Sequence, residues 1–142
     1  MRRAVVLLVV VAAVLAMAGG VALALNKNCT GGDCIGTRGD DFIVGSTNLD
    51  RIVGMEGNDQ VIGQEGSDEI YGDEGNDTIT DNGTNIDSDT IYGDEGNDTI
   101  DMYELGVAGA DTVNCGPGKK DKVFFDKGID VIANNCEIRK PQ

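Results

Sequence analysis

The chain has 142 residues, 21 of them glycine, no histidine, and 25 acidic residues against 11 basic, a net charge of −14. That length bounds it to one domain plus accessories, and so acidic a surface repels nucleic acid and anionic membranes. Without histidine, zinc and other soft-metal sites fit poorly.

Residues 1–24 read as a secretory signal peptide. Arg2 and Arg3 form a basic start, residues 4–18 are apolar, and Ala22-Leu23-Ala24 gives a small-x-small cleavage site before Leu25. An uncleaved anchor over residues 4–25 is the alternative, since that stretch just spans a bilayer; Gly19-Gly20 and the cleavage site favour cutting. Cleavage removes two arginines and no acid, so the mature chain carries −16. It is expected to be secreted and extracellular, with no membrane insertion once the signal is gone.

Export permits disulfides. Cys29 and Cys34 fall in residues 25–35, read as an N-terminal cap, and Cys115 and Cys136 lie in residues 114–142, read as degenerate repeats with a C-terminal cap. Four cysteines allow three connectivities, of which pairing within each end is the most economical. A solenoid needs its open ends covered, and a small disulfide loop at each end would do so.

Between the caps, residues 36–113 repeat. Residues 54–80 are three tandem nonapeptides, GMEGNDQVI, GQEGSDEIY and GDEGNDTIT, with Gly at the first and fourth places, Asp at the sixth and Ile or Val at the eighth. Upstream, GTRGDDFIV and GSTNLDRIV keep the beat, so Asp41, Asp50, Asp59, Asp68 and Asp77 are spaced by nine. Downstream, Asp89, Asp98, Asp111, Asp121 and Asp130 continue it across insertions, each again followed two residues later by Ile or Val. Self-similarity at a short fixed period indicates a stacked repeat architecture.

Nine residues are too few for a helical hairpin and too rich in glycine for helix. They suit a turn of about six residues and a strand of about three, with Gly supplying the positive φ that the turn requires. Two units make one coil. Stacked coils then make an all-β fold, a parallel β-roll (β-solenoid) with disulfide-closed ends. Alternate units share an edge, so one edge should carry Asp41, Asp59, Asp77, Asp98 and Asp121, and the other Asp50, Asp68, Asp89, Asp111 and Asp130. Carboxylates on the order of 5 Å apart repel one another; either their pKa values rise or a cation sits among them. Ca²⁺ accepts six to eight oxygens in irregular geometry, whereas Mg²⁺ demands a smaller octahedron. Aspartates that only cap turns by bonding local N–H groups are the alternative; charge accumulating along each ladder argues against it.

These units resemble the hemolysin-type (RTX) calcium-binding repeat, G-G-x-G-x-D-x-U-x, over residues 36–133, and the C-terminal CGPGKKDKVFFDKGIDVIANNCE resembles tails that close secreted actinobacterial repeat proteins of this kind. The resemblance implies a parallel β-roll with Ca²⁺ held between turns by main-chain carbonyls and the sixth-place carboxylates. Carried over place by place, these are Asp41, Asp50, Asp59, Asp68, Asp77, Asp89, Asp98 and Asp111. One departure is systematic. The second place is never Gly in these units and holds Thr37, Ser46, Met55, Gln64, Asp73 or Asp94.

Two insertions, residues 81–88 and 101–108, should bulge from an edge as loops, and Phe124 and Phe125 should plug the last coil. Acidic pairs abound, but none is distinguished as acid or base, and a core one residue thick leaves no room for a buried pocket. No enzyme activity is expected. The sequence thus predicts a secreted calcium-binding protein whose β-roll folds on Ca²⁺ binding between Gly/Asp-rich turns. The alternative is a cell-surface or matrix interaction protein, with a protein or glycan partner the sequence does not identify, in which Ca²⁺ is only structural.

Overall fold

The computed structural model describes residues 24–83, 86–102 and 109–141. The signal peptide expected over residues 1–24 lies, save for Ala24, outside the described residues, as do residues 84–85 of the first insertion and 103–108 of the second. Every unit contributes one short strand, and successive strands alternate between two sheets. One sheet stacks β1 (Asn26–Asn28), β3 (Phe42–Val44), β5 (Gln60–Ile62), β7 (Thr78–Thr80), β9 (Thr99–Asp101), β11 (Lys122–Phe125) and β13 (Ile138–Pro141) in that order. The other stacks β2 (Gly32–Ile35), β4 (Asp50–Glu56), β6 (Glu69–Glu74), β8 (Thr90–Tyr92), β10 (Thr112–Asn114) and β12 (Val131–Ile132). All pairings are parallel, and no helix occurs among the described residues. The result is a β-solenoid of six coils plus a closing strand.

Register follows from the eighth-place residue. Ile43, Val61, Ile79, Ile100 and Val123 lie side by side across one sheet, and Cys34, Ile52, Ile70, Ile91 and Val113 across the other. All ten are fully buried between the sheets. A slip of one residue would turn every one of them to solvent, so the alternating pattern fixes the pairing. On the outer face, Tyr71 and Tyr92 stack at 4.8 Å between centroids with Arg51 5.2 Å from the Tyr71 ring. The ends carry disulfides. Cys29 joins Cys34 within the first coil, and Cys115 joins Cys136 at the last, with Cys34, Cys115 and Cys136 part of the core itself.

Three expectations are corrected. Glycine serves the two places differently. Fourth-place Gly57, Gly66, Gly75 and Gly96 have positive φ, between 114° and 155°. First-place glycines such as Gly54 do not. They are glycine for want of space: a Cβ on Gly54 would strike Asp59 Oδ2 and lie 2.6 Å from the Gly72 carbonyl oxygen. The insertions also begin later than the pattern suggested. The Asp81 and Met102 N–H groups donate to the carbonyls of Asp101 (2.8 Å) and Phe124 (3.1 Å), just as Gly45 and Gly63 donate to Ile62 and Thr80. Both side chains are therefore held at the first place of the stack and buried. Finally, only one phenylalanine turns inward. Phe125 follows Met102 in that first-place column and packs on the core, while Phe124 faces out beneath Lys140.

Candidate metal centre: two carboxylate ladders

Each sixth-place aspartate immediately precedes a strand or, at Asp50, opens one, so the ladder that aligns the strands also aligns the carboxylates. On one edge the N–H groups of Asp41, Asp59, Asp77 and Asp98 donate to Oδ1 of Asp59, Asp77, Asp98 and Asp121, at 2.7, 2.8, 2.9 and 2.9 Å. On the other, Asp50, Asp68, Asp89 and Asp111 donate to Asp68, Asp89, Asp111 and Asp130, at 2.8, 2.5, 2.9 and 3.2 Å. All eight aspartates singled out as metal ligands therefore stand on these ladders, four to an edge, and each is at most 3 % exposed. Asp121, equally buried, continues the first edge, and Asp130 continues the second.

What happens at Oδ2 divides the turns into two kinds. Where the second-place residue lies outside the left-handed region, its N–H turns onto the carboxylate. Thr37 donates to Asp41 Oδ2, Ser46 to Asp50 Oδ2 (2.6 Å) and Asp126 to Asp130 Oδ2 (2.7 Å). The hydroxyls of Thr37 and Ser46 add a second bond. Where the second-place residue has positive φ, that N–H is turned away. This holds at Met55 (84°), Gln64 (75°), Asp73 (68°), Asp94 (63°) and Gly116 (78°). The matching Oδ2 atoms of Asp59, Asp68, Asp77, Asp98 and Asp121 are buried and accept no hydrogen bond. Non-glycine residues in this region are uncommon and strained, and here they occupy the place where the repeat pattern has its second Gly.

An ionised oxygen buried without a donor is costly. Burial pushes Asp59 and Asp77 up to about 6, and Asp68 and Asp98 up to about 7, against backbone hydrogen bonds that pull down; neighbouring carboxylates push the same way as burial. Asp89, Asp121 and Asp130 are also raised, chiefly by burial.

The donor chemistry at these atoms is that of a hard cation. Asp59 Oδ2 and the Gly72 carbonyl both crowd the place a Cβ on Gly54 would take; Asp77 Oδ2 and the Gly93 carbonyl do so at Gly72, and Asp98 Oδ2 and the Cys115 carbonyl at Gly93. At each of these glycines a carboxylate oxygen and a carbonyl oxygen flank the same small space. A side chain at the first-place glycine would fill that space. Carboxylates and carbonyls without nitrogen or sulfur fit Ca²⁺. By the same measure the turns of Asp41 and Asp50 fit less well, because hydroxyl and amide donors already occupy their Oδ2 atoms.

Two features escaped the sequence reading. The fifth-place asparagines form a second, outer ladder: Asn76 donates through its backbone and side-chain nitrogens to Asn58 Oδ1, and Asn97 does so to Asn76 Oδ1, all at 3.0 Å. The recurring Asn-Asp pairs at 58–59, 76–77 and 97–98 were its signal. The other is Asp81, which breaks the repeat and so looked like the start of a loop.

Comparison with known families matches the RTX calcium-binding nonapeptide repeat, in its four-copy form, to residues 35–63, 47–79 and 84–101. No curated protein and no solved structure matches. By the spacing of their glycines and aspartates and by the parallel roll they build, residues 35–79 and 84–101 of this chain are RTX calcium-binding nonapeptide repeats.

Proposed function

We propose that the protein is a secreted calcium-binding module whose β-roll is completed by Ca²⁺ held among its stacked turns. The observation that carries this reading is the row of buried, unpartnered Oδ2 atoms at Asp59, Asp68, Asp77, Asp98 and Asp121. When bound, Ca²⁺ supplies positive charge and oxygen coordination to groups that otherwise face one another unshielded. The chain's own part is to fix the backbone so that carboxylate and carbonyl oxygens converge. Metal binding and folding are then one event, because the convergence exists only when coils are stacked.

Secretion is supported by the composition of residues 1–24 and by two disulfides, which suit an oxidising compartment. Among the described residues no helix is long and apolar enough to cross a membrane. A roll with a core one side chain deep is a binding or structural fold, and the acidic side chains find a use in cation binding without any catalytic step. Interaction through the flat outer faces is the competing reading, with Ca²⁺ structural.

Far-UV circular dichroism of the full chain during Ca²⁺ titration, with Mg²⁺ as control, tests the mechanism. A cooperative gain of β signal with Ca²⁺ and not with Mg²⁺ is expected. A chain already fully folded in chelator and unchanged by Ca²⁺ would overturn it.

A further inference from the structure

The first-place column on the second edge reads Gly45, Gly63, Asp81, Met102, Phe125, whereas its counterpart on the first edge reads Gly36, Gly54, Gly72, Gly93, Cys115. Asp81 thus brings a carboxylate to a place that the repeat otherwise keeps bare. It is 1 % exposed. Its oxygens lie with those of Asp89 and Asp111 so that one ligand atom from each falls within 4.8 Å of the others. Asp89 and Asp111 are equally buried.

A separate observation points into the same space. Asp68, 3 % exposed, leaves Oδ2 without a hydrogen bond. That atom and Asp81 Oδ1 lie on the same side of Gly63, 3.4 and 3.2 Å from where its Cβ would stand. The backbone holds the set in place: Asp68 N–H donates to Asp89 Oδ1 at 2.5 Å, and Asp89 N–H to Asp111 Oδ1 at 2.9 Å.

We propose that Asp81, Asp89 and Asp111, with Asp68 beside them, form a distinct Ca²⁺ site, richer in carboxylates than the ordinary turns and created by Asp81 at a glycine place. The chemistry favours a cation over a structural acid pair. Three buried carboxylates with ligand atoms within 4.8 Å of one another repel at close range, and a divalent ion among them offsets that charge. Burial of every ligand demands an ion that sheds its water, which Mg²⁺ does reluctantly.

The inference rests on the calcium reading of the ladders, because Asp68, Asp89 and Asp111 also stand there. The test counts ions bound per chain, by equilibrium dialysis with ⁴⁵Ca²⁺, for the full chain and for Asp81→Gly and Asp81→Asn. Asp81→Gly restores the residue found at places 45 and 63, so it keeps the turn; Asp81→Asn keeps the shape and removes the charge. The expected result is one ion fewer in both variants, with the Ca²⁺-induced circular dichroism signal retained in Asp81→Gly. If the unaltered chain binds Ca²⁺ and both variants bind the same number with the same affinity, this inference is overturned and the ladder reading survives. If the unaltered chain binds none, both fall.

Discussion

Asp77 shows how one residue serves two purposes with opposite energetic signs. Its Oδ1 accepts the Asp59 N–H and helps hold one coil on the next, while its Oδ2 lies buried beside the Gly93 carbonyl with no donor. Asp77→Asn keeps the first role and removes the charge from the second. The expected outcome in calcium is a site weakened roughly tenfold to a hundredfold, since a charged ligand interaction is worth about 1.5–3 kcal/mol and each 1.4 kcal/mol is tenfold. In chelator the sign reverses. The amide can donate to the Gly93 carbonyl, so the variant should be more stable than the parent by about 1 kcal/mol. Urea denaturation with and without Ca²⁺ measures both. If the substitution destabilises equally in both conditions, Asp77 is a turn cap and no metal ligand.

At the scale of the element, the turns of the roll differ in how they treat Oδ2. The turns at Asp41 and Asp50, and again at Asp130, satisfy that atom through second-place donors, although Asp50 Oδ1 is itself buried without a partner. The turns between them, at Asp59, Asp68, Asp77 and Asp98, do not. The disulfides lie at the ends of the roll. Cys115 and Cys136 are 21 residues apart and buried in the core. By loop-closure entropy their bond contributes about 3 kcal/mol. Replacing both by serine should therefore shift the Ca²⁺ midpoint for folding upward, because more binding free energy is then needed to order the chain. An unchanged midpoint in the circular dichroism titration would show that the C-terminal cap is not coupled to the repeats.

For the whole molecule, acid and calcium act in opposite directions. Asp59, Asp68, Asp77 and Asp98 have folded pKa values raised to between about 6 and about 7 from 3.8. The folded state thus binds more protons than the unfolded chain between about pH 4 and 7. Without metal, stability should rise as pH falls from 7 toward 4 and be lost as pH rises through 6 to 7. With Ca²⁺ the ligands must be deprotonated, so affinity should fall over the same interval. Thermal melts in chelator at pH 5 and 8, beside Ca²⁺ titrations at the same two values, check the crossing. Melting temperatures in chelator that climb with pH would contradict the ladder electrostatics. An acidic chain of net charge −14 adds general self-repulsion in the same direction.

Much of this was legible because the repeat is local and periodic. A nine-residue spacing of Gly, Asp and Ile or Val dictates turn, strand and inward side chain within each unit, and stacking of alternate units then sorts the aspartates onto two edges. No distant contact is needed to read that, which is why the coil, the buried column and both ladders were visible in the sequence. Only the tertiary structure decided which carboxylate oxygens have partners. That depends on the φ of the second-place residue: Thr37 and Ser46 turn an N–H inward, whereas Met55, Gln64, Asp73 and Asp94 do not. The place of Asp81 was likewise hidden, because its burial depends on a hydrogen bond from its backbone to Asp101, 20 residues further along. The sequence by itself determined the repeat, the fold and the charge that calls for a cation. The stacking of coils decided where that charge is left unsatisfied, since hydrogen-bond satisfaction is a property of neighbours in space.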